Sequence, residues 1–181
     1  MKRVFIILSI ISFLFNGCVS LRHPFAKRSS IEIKEGILSL KTINSNLAKQ
    51  MPLTEKIGSN EVKIVSATVF ASDKPNKLLV ELEFIFTSFE IPEGLPCVAR
   101  TTASIDYNPK TKEFKFARIA PIEIKFLKEE LLEYVTPQQR KFIPETLMVK
   151  LYTLILHKSK KELTQIKSFT IKSGKIKIEF K

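Results

Sequence analysis

From Leu78 to Phe86 every second residue is apolar: Leu78, Val80, Leu82, Phe84 and Phe86 fall on one side, while Glu81, Glu83 and Thr87 fall on the other. Successive side chains leave a pleated backbone on opposite faces, so this alternation requires a half-buried strand and excludes an amphipathic helix over the same residues. Cys97, Ala99, Thr101, Ala103, Ile105 and Tyr107 repeat it against Arg100, Thr102, Ser104 and Asp106, before a turn at Asn108 and Pro109. Phe114 and Phe116 alternate with Glu113 and Lys115. Pro121 has no N–H for a ladder and marks a bulge or an edge, after which Ile122, Ile124 and Phe126 resume the alternation against Glu123 and Lys125. The middle of the chain is therefore expected to form long antiparallel strands with one buried face.

Flanking segments extend the sheet. Val62 to Val69 is rich in β-branched residues, and Pro75 with Asn76 marks the turn that follows. Ile37 and Leu38 read as a strand end, with Ser39 placed to cap a short helix through Leu40, Ile43, Leu47 and Met51; Ser39 also suits a strand position. Near the end, Phe169 and Ile171, a turn at Ser173 and Gly174, and Ile176, Ile178 and Phe180 predict a closing hairpin.

Between Lys128 and His157 the period changes. Leu131, Leu132, Val135, Phe142, Leu147, Leu151, Leu154 and Ile155 recur at helical spacing, Pro137 suits a helix start, and Pro144 is expected to kink or interrupt the helix. The run from Leu147 to Leu156 leaves little polar face, so this helix is expected to be enclosed. The resulting expectation is an α+β fold: a strongly curved antiparallel sheet wrapped around a long kinked C-terminal helix, plus a short N-terminal helix.

The chain starts with a different signal. Lys2 and Arg3 precede an apolar run from Val4 to Phe15, and Asn16, Gly17 and Cys18 follow. The run is roughly a dozen residues, short of the ~20 that a spanning helix needs, and reads as a lipoprotein signal peptide over residues 1–17. Cleavage before Cys18 would make its thiol the acyl attachment point. Residues 18–30, with little apolar periodicity, read as a lipidated tether, and residues 31–181 as one domain. The alternative is an ordinary secretory signal, after which Cys18 and Cys97 could form a disulfide. Against this, Cys97 falls within a strand pattern, where a lone thiol usually behaves as a small buried apolar group.

Removal of the leader leaves 28 basic against 18 acidic residues, about +10. Export turns that charge away from nucleic acid and toward anionic lipid headgroups. Lys158, Lys160, Lys161, Lys172, Lys175 and Lys177 also fit an ordinary solvated surface. Catalytic chemistry has little to draw on. His23 falls in the tether, and His157 is expected to make a favourable contact at the end of the long helix. Glu81 and Glu83 lie on the strand face opposite Leu82 and Phe84, so neither an enzyme nor a metal or cofactor site is expected.

Ile43 and Asn44, Leu47 to Lys49, Ile57 and Gly58, Pro75 to Lys77, Pro144 within the helix, and Gly174 before the last strand together resemble the YceB-like periplasmic lipoproteins of Gram-negative bacteria. The resemblance spans about Ile37 to Phe180 and implies a TULIP-like tubular lipid-binding domain, in which a curved sheet around a helix can leave an apolar tunnel. The candidate lining is Val80, Leu82, Phe84, Phe86, Ala99, Ile105, Phe114, Phe116, Leu147, Leu151 and Leu154. The implied ligand is a lipid, fatty acid or other apolar molecule; the alternative is a structural or interaction protein whose core is fully packed. Val19 stands where an Asp would signal inner-membrane retention, so an outer-membrane anchor facing the periplasm is expected, with the inner membrane as the alternative.

Overall fold

The computed structural model describes residues 36–163, 166–172 and 175–180. The signal peptide, the tether with Cys18 and His23, and the turn at Ser173 and Gly174 lie outside the described residues.

The chain runs through β1 (Gly36–Ser39), α1 (Leu40–Ala48), β2 (Leu53–Ile57), β3 (Asn60–Ala71), β4 (Leu78–Thr87), β5 (Leu95–Asn108), β6 (Glu113–Ala117) and β7 (Glu123–Phe126). A 3-10 helix (Glu129–Tyr134), α2 (Pro137–Thr153), β8 (Ile155–Lys158), β9 (Ile166–Lys172) and β10 (Lys175–Phe180) complete it. The larger sheet has the order β2-β3-β4-β5-β6-β8, with β7 also paired to β5; the smaller has the order β1-β10-β9. The alternating residues of β4 and β5 pair without a break from Leu78 opposite Ala103 to Phe86 opposite Leu95, and their apolar sides are buried. Pro121 breaks the ladder as expected: β6 pairs with one stretch of β5 and β7 with another, separated by Arg118–Ile122. The closing hairpin forms, with Ile176 opposite Ile171 and Ile178 opposite Phe169. Ser39 fills both of its expected roles, ending β1 and accepting the Thr42 N–H at 3.1 Å as helix cap.

The long kinked C-terminal helix is not what forms, and the fold is mostly β: ten strands against three short helices among the described residues. Residues from Lys128 onward divide into an exposed 3-10 turn, a 17-residue α2 and strand β8. Thr136 starts α2 with a capping box to Gln139, and Pro137 stands at its first turn. The helix ends at Thr153, because Leu154 and Leu156 are buried while Ile155 and His157 are half-buried, a strand's alternation. That strand takes up the outer edge of β6. Nor is α2 enclosed. Its buried stripe is Gln139, Ile143, Thr146, Leu147 and Leu151, and Val149 is 62% exposed on the opposite side.

The larger sheet curls into a half-barrel. Strands β3 and β8 are four steps apart, roughly 19 Å on a flat sheet at about 4.8 Å per step. Helix α1, about 10 Å across, nevertheless touches both, and α2 touches β3 and β6. Amide side chains of α1 close the two open edges. Asn44 donates to the Val69 carbonyl at 3.1 Å and accepts the Val69 N–H at 2.8 Å, as a neighbouring strand would. Gln50, just beyond α1, does the same for Ile155, at 2.7 and 3.0 Å, and Asn46 donates to the Leu156 carbonyl. A side-chain amide carries the same donor and acceptor as a peptide group, so it satisfies edge groups that would otherwise be half-buried and unpaired. Asn44→Leu is expected to lower stability by about 2 kcal/mol in urea unfolding, since both Val69 groups lose their partner.

Candidate functional site

The eleven residues expected to line a tunnel all come together in one hydrophobic cluster with Ile143, Leu47 and Ile43. Ten of them are between 0% and 3% exposed, and Ile105 is 7% exposed. Strand alternation supplies the sheet side and the α2 stripe the other. Phe84, Phe86, Phe114 and Leu147 are among the largest fully buried side chains. The candidate lining residues are thus buried together between the sheet and α2.

Cys97 belongs to the same core, 2% exposed, and its thiol donates to the Leu95 carbonyl at 3.3 Å. Burial pushes its pKa up to about 12, so it stays protonated and unreactive near neutral pH. Native protein is expected to leave Cys97 unlabelled by a thiol reagent over the time in which urea-unfolded protein is labelled completely.

An aromatic group marks where the smaller sheet meets the larger. Phe114 stacks at 4.8 Å on Tyr107, 5.9 Å from His157 and edge-on to Phe169 at 6.0 Å. The Tyr107 hydroxyl accepts the Leu163 N–H at 2.9 Å. His157 therefore stands in β8 against Phe114, not at a helix end, and burial lowers its pKa. Glu81 and Glu83 are cross-strand partners on the outer face: Glu81 meets Arg100 at 2.6 Å and Glu83 accepts from Ser66 at 2.9 Å. Lys158, read as solvated, lies 3.6 Å from Glu113 while staying largely exposed. Among the described residues, no three His, Cys, Asp or Glu side chains are grouped to hold a metal ion.

Beside the aromatic group lies a groove of about 400 Å³. Ser104, Ile105 and Asp106 of β5, with Ala117 and Arg118 at the end of β6, form one wall; Lys167, Phe169 and Ile171 of β9 form the other, and Asn76 closes one lip. Lys167, Phe169 and Ile171 alternate along β9 and so share a face. The Ser104 hydroxyl donates to the Ala117 carbonyl at 2.8 Å, and an Asp106 oxygen accepts the Tyr107 N–H at 2.8 Å. Arg118 has φ +47° and Asn76 φ +55°, and the Lys77 ammonium donates to the Arg118 carbonyl at 3.2 Å. Asn tolerates this left-handed region; a long side chain such as Arg rarely enters it.

Of the groove residues, sequence reasoning singled out Ile105 as candidate lining; it had placed Phe169 and Ile171 only in the closing hairpin. Arg118 and Lys167 carry no pattern of their own, and 48 positions separate them. Comparison with protein-family models and with curated proteins finds no match to this chain.

Proposed function

We propose that this chain is a membrane-tethered lipoprotein of the bacterial envelope, without enzymatic activity, whose domain binds a lipid or another ligand with an apolar tail. The observation that carries the binding reading is the groove between the sheets. Its volume falls within the ~300–1,000 Å³ of small-molecule sites, and Ile105, Phe169 and Ile171 supply an apolar part of a surface that is about half polar. The near-complete burial of the sheet–helix interior favours the open groove as the place for such a ligand. The tether reading rests on Gly17 and Cys18 after a short apolar leader, with the outer membrane as the anchor's destination.

A second reading, a structural or interaction lipoprotein with no ligand, is favoured by the complete burial of Phe84, Phe86, Phe114 and Leu151. Native mass spectrometry of protein purified from its own membrane separates the two. Copurified lipid at a fixed stoichiometry, and a rise in the unfolding midpoint when that lipid is added back, support binding, since a ligand specific for the native state must stabilise it. If no lipid copurifies and none of the tested lipids moves the midpoint, the structural reading stands.

A further inference from the structure

The groove places one cation on each wall, Arg118 at the end of β6 and Lys167 on β9. Arg100, Lys115, Lys141, Lys150 and Lys158 are engaged in ion pairs with Glu partners, and none of those pairs involves Arg118 or Lys167. One acid, Asp106, shares the lining, and one of its oxygens already takes a backbone N–H. Two cations against one carboxylate in the lining, with the Lys77 ammonium on the Arg118 carbonyl at the lip, make the groove cationic. Behind the charges lie Phe169, Ile171 and Ile105, all partly or fully buried.

The Arg118 backbone is left-handed, at φ +47°, as it also is at Lys112 in the turn after β5, and glycine would occupy it without steric conflict. The neighbouring lip is fixed in turn by Asn76, also left-handed, and by Lys77 on the Arg118 carbonyl.

From this geometry we infer that the groove takes an acyl chain ending in a single negative charge, a carboxylate or a phosphodiester, with Arg118 and Lys167 holding the charged end and Phe169 and Ile171 lying along the chain. The inference rests on the lipid-binding reading and adds to it the charge of the ligand. Arginine suits the part, because its planar fork donates two parallel hydrogen bonds to either group. A cationic groove matches an anionic head better than a neutral or cationic one.

The test uses the full chain in a non-ionic detergent and three ligands with the same 14-carbon chain: myristate, myristoyl lyso-phosphatidylglycerol and tetradecanol. Native mass spectrometry and thermal unfolding read the binding. The expected result is a 1:1 adduct and a raised midpoint with at least one of the two anions, and binding of the alcohol about tenfold weaker, a factor worth about 1.4 kcal/mol. Whether myristate or the lyso-lipid binds better identifies the headgroup. Lys167→Gln and Arg118→Gly should each bring the anion down to the level of the alcohol and leave the alcohol unchanged. Arg118→Gly should keep the unfolding midpoint, because glycine accepts the backbone conformation, and Lys167→Gln is an exposed change on a strand. Equal binding of alcohol and anion, or unaltered preference in both variants, overturns the inference while leaving lipid binding intact. Failure of all three ligands to bind the wild-type protein overturns the lipid-binding reading and the inference with it.

Discussion

Phe84→Ala is expected to destabilise the domain by about 3–5 kcal/mol, the range for deleting a buried ring whose surroundings cannot fully collapse. Phe84 is 1% exposed in the middle of β4, opposite Ile64 on β3 and Cys97 on β5. The half-barrel cannot close over the void, since its strands are held in register on both sides and its open edges are clasped by Asn44 and Gln50. Leu151→Ala, on the buried stripe of α2, is expected to cost about 2–5 kcal/mol for the same reason. Urea unfolding of wild type and variants measures both, with an unchanged slope confirming that stability, and not compactness, has shifted. The size of the loss also separates a packed core from a ligand-filled one. Were the space beside Phe84 occupied by ligand, the delipidated protein would already lack part of those contacts, and the loss would fall well below this range.

The strands were legible because a one-residue slip would turn every apolar side chain of β4 and β5 to water, so the pattern allows one register only. The end of α2 was not. Leu154, Ile155 and Leu156 form a short apolar run that suits a helix or a strand equally, and periodicity cannot decide such runs. What decides it is the free edge of β6, whose Phe114 and Lys115 pair with His157 and Ile155. That edge is set by the tertiary arrangement, about 40 residues earlier in the chain, and leaves no local trace. The exposed outer face of α2 was hidden for a related reason. Val149 and Tyr152 are apolar by type but 62% and 45% exposed, so residue type overstated how much of the helix is enclosed.

The groove was less legible still. Its apolar residues come from β5 and β9; β9 is paired through β10 to β1, and its Phe169 meets Phe114 of β6 edge-on. A lysine on β9 and an arginine after β6 read singly as surface charge. Only the pairing of two sheets puts them on facing walls. The expected tunnel residues show the converse: strand and helix periodicity reads each as inward-facing, and each is buried in the structure.

Cys18→Ala is expected to abolish acylation altogether and to leave the chain uncleaved or released from the membrane. In the proposed lipoprotein the leader, short of the ~20 residues of a spanning helix, is removed, and retention comes from the lipid. Each buried CH₂ contributes about 0.8 kcal/mol, one chain gives marginal, reversible binding, and two or three make the attachment effectively permanent. The basic residues near Cys18, Arg22, Lys27 and Arg28 among them, add about 1 kcal/mol each near an anionic surface and lose most of it in high salt. Metabolic labelling with a fatty-acid analogue followed by membrane fractionation checks the outcome. Wild type should carry the label and sediment with the outer membrane, since Val19 is not an acidic retention signal, and a high-salt wash should not release it. The Ala variant should carry none, and any that remains with the membrane through its uncleaved leader should keep its full precursor mass. Label retained at wild-type level by the variant would show that the acyl chains are attached elsewhere, and the lipoprotein reading of Cys18 would fall.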